Sequence, residues 1–395
     1  MKKLLFAAGI SAVLTAPSAV MAQAPQPEAK GGLLDNFGID FSGYVDASYN
    51  HLSRSNTFTS TTPSRVFDLE RSGLGLRQVA LTFAKQPKEG LGGLLNLTAG
   101  KDADVIAAYK TDPSNGRGCN VATGLNADGT KCSRDRFDVT QAFLQYATGP
   151  WTVIGGKFVT QAGAEVINST ANTNFSRSIL FGYAIPFTHT GARAAYAASD
   201  TLTVTAGINQ GWDDIKDTNS AKAAELGVAF TSNKIFALNA MVHAGKERVG
   251  GLIGTGPEGQ RNLLDMVATI NATDKLTFVL NYDSATQDNT ATVTPLGANK
   301  SRWAGWAGYA NYQFNERWRL SLRGEYFDDK DGYRTGVVQK WKEATLTLAY
   351  LPTKAVELRA EVRNDRSNAP SFLDRDGVTG RNNMSSYGVQ FLYKF

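Results

Sequence analysis

The chain has 395 residues, and its 41 Lys and Arg against 36 Asp and Glu give a formal net charge of only +5. This near balance, together with the lack of a basic run interleaved with aromatic residues, argues against nucleic acid as a partner. The 39 glycines, 20 phenylalanines and 14 tyrosines, against only 12 prolines, suit many strands and turns better than helices.

The chain begins with a segment that has the organisation of a cleaved signal peptide, predicted over residues 1–22. Lys2 and Lys3 form a basic start, Leu4 to Val13 form an apolar run, and small residues precede the cleavage point. The apolar run is too short for a transmembrane helix, and Pro17 lies shortly after its end. The segment therefore predicts export.

After a short polar periplasmic lead over residues 23–36, sixteen segments alternate apolar and polar residues with a period of two. This is the period of a β-strand with one apolar and one polar face. The predicted strands are 37–50, 74–85, 92–103, 135–148, 151–158, 188–198, 201–211, 222–232, 235–245, 263–273, 276–287, 303–314, 317–328, 341–351, 355–364 and 384–394. The predicted fold is an all-β, transmembrane antiparallel barrel of about 16 strands over residues 37–395.

The connections between these segments alternate between short and long. Short connections such as Gly149-Pro150 and Ser199-Asp200 are rich in turn formers, whereas long ones include residues 51–73, 104–134 and 159–187. Short turns on one rim and long loops on the other are typical of bacterial transmembrane barrels, in which the long loops are external. An even strand count places both termini on the periplasmic side.

Two of the predicted strands carry four charges each on one face, with Ser321 interrupting the series in the first. These charges are Arg317, Arg319, Arg323 and Glu325 in one strand and Glu357, Arg359, Glu361 and Arg363 in the other. Such a face would be costly against lipid, so we expect it to face the lumen, and sixteen strands leave an aqueous channel there. Aromatic residues near strand ends are predicted for the interfacial girdles: Trp151, Trp303, Trp306, Trp318, Trp341 and Tyr350.

Few residues indicate chemistry beyond that of a barrel. The only cysteines, Cys119 and Cys132, lie in one long loop, and in an exported protein we predict a disulfide between them. The three histidines are too far apart in sequence to indicate a metal site, and no cofactor is predicted. His189, beside Thr188 and Ser178, leaves open a closed barrel that acts as a hydrolase or adhesin, although an enzyme is not the predicted function.

The last predicted strand places an aromatic set on one face. Its members are Tyr387, Val389, Phe391, Tyr393 and Phe395. A strand of this kind resembles the sorting and assembly signal of Gram-negative outer-membrane barrels. The resemblance implies a location in the outer membrane of a Gram-negative bacterium, contact with its lipid and lipopolysaccharide, and insertion by the barrel assembly machinery.

One stretch covers the connection 159–187 together with the strand ends on either side of it and reads GKFVTQAGAEVINSTANTNFSRSILFGYAIPFTHTGARAAY, followed by Asn209-Gln210-Gly211-Trp212-Asp213. Together with the early Gly43-Tyr44-Val45-Asp46-Ala47 and Phe67-Asp68, it resembles the putative β-barrel porin-2 family, the OmpL-like porins. These specific motifs cover a minor part of the chain, and the remainder resembles the family through its barrel periodicity. The resemblance implies an outer-membrane porin.

In general porins the third external loop folds into the barrel and narrows it. Residues 159–187 form the third long loop here, and Ile179, Leu180 and Phe181 make it too apolar to remain in water. The predicted pore and constriction residues are Lys157, Glu165, Arg177, His189, Arg193, Arg319, Arg323, Arg359 and Arg363. Glu165 and Arg177 either pin the loop as a pair or face the passage, and one residue can do both.

The predicted function is passive diffusion of small hydrophilic solutes and ions through a water-filled channel, with sieving by pore diameter and a bias from wall charges. An anion-selective or substrate-specific porin is the main alternative, because Lys101 adds to the basic residues of the wall. Glu325, Glu343, Glu357 and Glu361 offset much of that charge. A homotrimer is expected by analogy with the general porins.

Overall fold

The structure, a computed structural model, describes residues 34, 37–54, 65–68, 72–107, 137–217, 219–232, 234–249, 257–374, 376 and 378–395. The predicted signal peptide over residues 1–22 and the predicted disulfide between Cys119 and Cys132 lie outside these residues and stay predictions. None of the helices within the described ranges is long and apolar enough to cross a membrane.

Sixteen of the strands in the described residues close into one antiparallel barrel, in which successive barrel strands pair and the last pairs with the first. They are β1 Asp40–Leu52, β2 Ser72–Lys85, β3 Gly90–Ala99, β4 Phe137–Thr148, β5 Trp151–Val159, β6 Thr188–Ser199, β7 Leu202–Asn209, β8 Ala223–Ser232, β9 Phe236–Arg248, β10 Glu258–Asn271, β11 Leu276–Asp288, β12 Lys300–Asn315, β13 Trp318–Asp329, β14 Gln339–Tyr350, β15 Val356–Ser367 and β18 Asn383–Lys394. Two short strands, β16 Phe372–Leu373 and β17 Gly380–Arg381, pair with each other in the loop between β15 and β18.

Helical structure is confined to short turns in the described connections. Helix α1 spans Ala103–Ile106, a 3-10 turn spans Ser169–Ala171 and a π-helical turn spans Leu180–Ala184. The sixteen-stranded barrel predicted from the sequence is confirmed, with most strand ends within a few residues of the prediction. The largest difference at a strand start is in β10, which begins at Glu258 rather than at residue 263. The first residues of β10 pair with β9 but are mostly polar, so the alternation of apolar and polar residues did not indicate them.

The outer surface of the barrel is apolar. Leu74, Leu144, Leu226 and Val389, on four different strands, are each more than half exposed. Charged residues alternate with this apolar set and point inward, as the period of two requires.

The girdle prediction holds for part of its aromatic residues. Trp151, Trp306 and Trp318 are 40–52% exposed on the outside. Trp303 and Trp341 are at most 1% exposed because they point inward and pack inside the barrel, so their assignment to the girdle was wrong.

The barrel closes where β1 meets β18. Their register pairs Tyr44 with Lys394 and His51 with Tyr387. Below this ladder, Gly43 and Phe395 exchange two backbone hydrogen bonds, of 2.8 and 2.9 Å. A Cβ at Gly43 would lie 2.6 Å from the Phe395 ring, so the close approach requires glycine.

Candidate functional site: the inner loop and its charged wall

The inner loop, residues 160–187 between β5 and β6, lies inside the barrel and is largely buried. Its side chains Ile179, Leu180 and Phe181 are each at most 3% exposed. They belong to one apolar cluster with inward-pointing wall residues that include Trp303 and Phe327. Burial of this apolar surface favours the inner loop in the lumen over the loop in water.

The first part of the inner loop follows the wall across neighbouring strands. Gly163 N donates to Asp265 Oδ2 of β10 at 2.9 Å, and Ala164 N donates to Asn281 Oδ1 of β11 at 3.1 Å. Gly163 has a φ of 92°, and a Cβ there would lie 2.5 Å from Cδ1 of Ile185. Glycine is therefore required both by the backbone and by the packing.

Glu165 is the centre of the polar contacts between the inner loop and the wall. Its Oε1 accepts from Arg323 Nη1 of β13 at 2.7 Å, and its Oε2 accepts from Ser178 N at 2.8 Å. Arg323 also donates to Ser176 O at 2.6 Å and to Glu343 Oε1 at 2.8 Å. A single wall guanidinium thus joins two parts of the inner loop to the neighbouring strand β14.

Two further wall carboxylates each accept hydrogen bonds from two successive backbone N–H groups of the inner loop. Glu361 of β15 accepts from residues 175–176 at 2.6 and 3.0 Å. Glu325 of β13 accepts from residues 179–180 at 3.0 and 3.1 Å. Backbone groups removed from water need such partners, and charged acceptors are the stronger ones.

Arginines of β15 supply donors for the carbonyl groups of the inner loop. Arg363 Nη1 donates to Arg177 O at 2.6 Å, and Arg359 Nη1 donates to Asn174 O at 3.2 Å. The alternating charges of β13 and β15 therefore take the place of water around an irregular segment. This role explains why acids and bases alternate on faces that carry so many charges.

The other basic residues predicted for the pore wall are paired with carboxylates. The pairs are Lys157 with Asp138 (3.0 Å), Arg193 with Glu225 (3.0 Å), Arg319 with Glu357 (2.6 Å) and Arg363 with Asp365 (2.7 Å). Removal of one partner from a buried pair costs stability as well as charge. A role of these residues in lining a passage stays a proposal.

Arg177 lies within the inner loop and holds it to a compact shape. Its Nη2 donates to Ile167 O at 2.7 Å, and its guanidinium lies 5.8 Å from the Phe67 ring centre and 5.6 Å from that of Phe181. The sequence left open a pair between Glu165 and Arg177. In the structure, Glu165 forms its ion pair with Arg323 instead.

His189 is fully buried at the end of the inner loop. Its Nδ1 lies 3.1 Å from Gly211 O, and its ring stacks on His243 with ring centres 4.8 Å apart. Ser178 Oγ accepts from Phe181 N at 2.9 Å. The fold thus unites two of the three histidines, but within the described residues no group of three or more His, Cys, Asp or Glu is placed to hold a metal ion.

The end of the inner loop is attached to the next external loop through Asp213. The Asp213 Oδ1 accepts from Phe187 N at 2.6 Å and from Thr188 N at 2.9 Å. Asp213 has a left-handed φ of 64°, which Asp and Asn adopt more readily than most residues. Burial raises the pKa of Asp213, and the two backbone N–H groups oppose that rise.

Two small clefts lie inside the barrel, one between the inner loop and strands β14 and β15 and the other beside β1 and β2, and Phe67 borders both of them. The first, which we call the inner cleft, has Arg65, Arg177 and Arg363 in its lining, against the single carboxylate of Asp68. The second, which we call the mouth cleft, is lined by Ser48, Asn50, Gly73, Gly75, Arg77 and Lys101 together with Phe67. A Cβ at Gly75 would lie 2.7 Å from Nζ of Lys101, so the glycine makes room for this ammonium group.

Sequence reasoning missed several residues of this site. Asp265 and Asp283 face each other in the β10–β11 register and point inward, as the parity of the predicted strands indicates. Arg65 joins Asp68 and Asp365 at 3.1 and 2.5 Å, but it lies in a long loop without periodicity. The alternation of inward and outward residues along the predicted strands could therefore have indicated Asp265 and Asp283, whereas no signal in the sequence indicated Arg65.

Comparisons with known proteins agree with this architecture. A family model described as Putative beta-barrel porin-2, OmpL-like, matches residues 38–395. No curated protein sequence gives a match.

Among solved structures, the fold is similar to that of the anion-selective porin from Comamonas acidovorans, with 11% identity, a TM-score of 0.60, and coverage of 90% of this chain and 99% of that chain. It is also similar to a loop L8 deletion mutant of OmpT, an outer membrane protein of Vibrio cholerae, with 14% identity, a TM-score of 0.57, and coverage of 90% and 99%. The outer membrane channel DcaP of Acinetobacter baumannii gives 14% identity, a TM-score of 0.56, and coverage of 94% and 99%. At these identities the likeness shows the fold.

Proposed function

We propose, since this chain belongs to the putative beta-barrel porin-2, OmpL-like family, that its inner loop restricts the passive diffusion of small hydrophilic solutes and ions. The protein is an outer-membrane channel of the Gram-negative type. The observation that carries the proposal is the span of the inner loop. Its contacts run from Asp265 on β10 to Glu361 on β15, and Phe175 reaches Gly388 on β18.

Restriction results from the way the inner loop is held. Charged groups of the wall hold its first part and its middle, and Asp213 of the next external loop holds its end, so a fixed segment narrows the passage. A rigid constriction sieves by size, and solutes then pass through the space that the loop leaves. We expect Glu165 and Arg177 to act mainly as anchors of the inner loop, because their hydrogen bonds serve its backbone.

An anion preference is the favoured variant of this function. The mouth cleft carries Arg77 and Lys101, and Arg77 is paired with Asp102 at 2.9 Å. The inner cleft, which shares Phe67 with it, adds the guanidinium groups of Arg65, Arg177 and Arg363. The solved structure from Comamonas acidovorans is an anion-selective porin, which supports the same direction here.

We expect no catalytic activity. The family and the similar structures point to a channel, and the residues that left a hydrolase open are engaged elsewhere: His189 faces Gly211 and His243, and Ser178 caps Phe181. We also expect a homotrimer, since a similar OmpT of Vibrio cholerae has been solved in a trimer form. Lipopolysaccharide and the barrel assembly machinery are the further partners we propose.

Planar-bilayer recording of the purified, folded protein tests the proposed function. Folding is checked first by the heat-dependent shift of the barrel on gels. We expect stepwise openings of small size, with a reversal potential displaced toward anions at low salt. Consistent silence from protein that shows the gel shift would contradict a diffusion channel and favour a closed barrel.

A further inference from the structure

Two basic side chains face each other on the outer surface of the barrel, near one rim. Lys342 of β14 and Arg366 of β15 are directly paired in the strand register, and both are exposed. Lys342 lies close to the start of β14 and Arg366 close to the end of β15. Like charges directly opposite each other on one face of a sheet repel, so an anion that joined them would relieve this repulsion.

Nearby carboxylates do not balance these cations. Among the described residues, Lys342 and Arg366 form no ion pair. Lys340, on the same face of β14, adds a third exposed cation, and the partly exposed Asp328 of β13 lies opposite it in the register. We call Lys340, Lys342 and Arg366 the outer basic patch, which has an excess of positive charge over the single carboxylate of Asp328.

Uncharged groups orient both members of the facing pair. Asn364 Oδ1, on the same strand face, accepts from Arg366 Nε at 3.2 Å, and Asn364 Nδ2 donates to Ser385 Oγ of β18 at 2.9 Å. The Nη groups of Arg366 thus remain available to a ligand. Lys342 Nζ lies 6.0 Å from the ring centre of Tyr326 on β13. A guanidinium and an ammonium that face each other suit a phosphate, whose oxygens can accept from both.

The surface around the outer basic patch is that of a membrane interface. Trp306 and Tyr326 lie in the same cross-strand row as Lys342, and aromatic residues of this kind mark the interface in transmembrane barrels. Toward the middle of the wall, the same face continues with Leu346 and Val362, which are paired in the register and 40% and 55% exposed. A ligand with a phosphate and acyl chains would therefore meet cations and an apolar wall together.

The rim on which the outer basic patch lies selects the class of lipid. The connections from β13 to β14 and from β15 to β18 begin or end beside the patch and are long, whereas the connection from β14 to β15, at the other rim, is short. Long connections are external in bacterial transmembrane barrels. The external leaflet of a Gram-negative outer membrane consists of lipopolysaccharide, whose lipid A part carries phosphate groups and acyl chains.

We propose that the outer basic patch binds a lipid A phosphate of lipopolysaccharide, with the acyl chains of the same molecule along Leu346 and Val362. Arg366 and Lys342 donate to the phosphate, and Lys340 adds to its attraction. The cations belong to the protein, so no divalent metal ion is needed as a bridge. The proposal rests on the outer-membrane location and deepens the contact with lipopolysaccharide proposed above, and it does not depend on conduction.

Binding of fluorescently labelled lipopolysaccharide to the full chain in detergent tests the site. The heat-dependent gel shift first shows that each variant is folded. The double variant Lys342→Gln/Arg366→Gln removes the facing charges, and at fixed ionic strength we expect it to bind about tenfold more weakly than the wild type. An unchanged affinity of the folded double variant overturns the proposal.

The matched control is Lys275→Gln/Lys354→Gln, which removes the same charge from exposed turns at the opposite rim. It should keep the affinity of the wild type. An equal loss of affinity in both double variants would mean that lipopolysaccharide responds to net charge alone, and the proposal then fails.

Two arms on the wild type do not depend on whether a variant folds. Lipopolysaccharide from which the lipid A phosphates have been removed should bind much more weakly, and equal binding overturns the role of the phosphate. EDTA should leave the binding of intact lipopolysaccharide unchanged. Loss of binding in EDTA would assign the contact to bridging metal ions and overturn direct recognition by the outer basic patch.

Competition on the wild type identifies the source of the phosphate. Neither inorganic phosphate nor phosphatidylglycerol should displace lipopolysaccharide at an equal concentration. Displacement by inorganic phosphate would indicate a site for the free ion, and displacement by phosphatidylglycerol a site for anionic lipids in general, and either result overturns the assignment. Silence in planar-bilayer recording with retained lipopolysaccharide binding would contradict the channel and leave this site standing, whereas normal conductance without binding would overturn the site alone.

Discussion

Arg323 of β13 and Glu165 of the inner loop form a buried ion pair of 2.7 Å that joins positions 158 residues apart in the chain. Neither side chain is more than 4% exposed. The same guanidinium reaches Glu343 and the carbonyl of Ser176, so it connects two strands and two parts of the loop.

Arg323→Gln should therefore be strongly destabilising. Removal of the guanidinium leaves Glu165 buried without its cation and leaves Glu343 with Arg363 alone, at 3.3 Å; loss of one partner costs about 3–5 kcal/mol in comparable buried pairs. The free energy of unfolding, from denaturant titration in detergent, measures the loss. Arg381→Gln, at an exposed pair with Asp374, should cost less than about 1 kcal/mol. A similar loss of stability in both variants would show that the buried pair with Glu165 stabilises the fold no more than an exposed pair does.

Asp213→Ala and Asp213→Asn should differ in their effects. Alanine removes the acceptor for Phe187 N and Thr188 N and adopts the φ of 64° poorly, so we expect a loss of about 1–3 kcal/mol. Asparagine keeps an acceptor oxygen and tolerates this backbone, so its cost should be small at neutral pH. Equal losses for the two variants would contradict an anchoring role for this side chain.

Comparison of the wild type with Asp213→Asn also predicts a pH dependence. Burial raises the pKa of Asp213 above its ordinary value of 3.8. A raised pKa means that the folded state favours the protonated carboxyl of Asp213. The contribution of this carboxyl to stability is therefore fully present below pH 3.8 and is lost as the pH rises through the raised pKa. The amide of the variant does not titrate. The wild type should therefore lose stability relative to Asp213→Asn as pH rises, and a relative gain over the same range would contradict the prediction.

Asp283→Asn should stabilise the barrel. Asp283 is fully buried opposite Asp265, and neither of its carboxylate oxygens accepts a hydrogen bond from the described residues. An amide supplies a donor to Asp265 without the cost of keeping a carboxyl protonated at neutral pH, which we expect to raise the free energy of unfolding by about 1–3 kcal/mol. Asp265→Asn is the contrasting variant, because Asp265 Oδ2 already accepts from Gly163 N and Asn281. A loss of stability in Asp283→Asn would indicate that the carboxylate has a partner of its own.

Lys101→Glu should shift ion preference toward cations. Lys101 borders the mouth cleft, and reversal of its charge there places an acid beside the path that we propose for solutes. The reversal potential across a planar bilayer at low salt measures the change, because screening is then weakest. Lys88→Glu, in the exposed turn between β2 and β3, is the control and should leave the reversal potential almost unchanged. Equal shifts in both variants would place the passage elsewhere.

The strands were predictable because a closed sheet between lipid and lumen imposes a period of two on nearly every strand. Strand β15, with Glu357, Arg359, Glu361 and Arg363 on one face, is the clearest example. The inner loop was also recognisable, since apolar residues such as Leu180 and Phe181 need cover. Both signals are local, because each can be recognised from consecutive residues.

The partners within the site were not predictable, because they depend on which wall strand the loop passes. Glu165 and Arg177 are close in sequence, so a pair between them was one of the predicted arrangements, but Glu165 pairs with Arg323. His189 and His243 meet only because β6 and β9 bring them to the same level of the wall. The inward charges suggested contact with water, whereas the structure uses many of them to satisfy loop backbone.

The seam between β1 and β18 constrains the order of folding. Most strand pairs join neighbours in the chain, but this pair joins Gly43 to Phe395, so the ring stays open until its last strand arrives. The inner loop contacts Glu361, which is 186 residues later in the chain, so its contacts also cannot form until the late strands are in place. A ring that sealed before the loop entered would enclose unmatched carboxylates and guanidinium groups. Loop entry and closure are therefore expected as one kinetic event, and the slow step of assembly should respond to mutations in either.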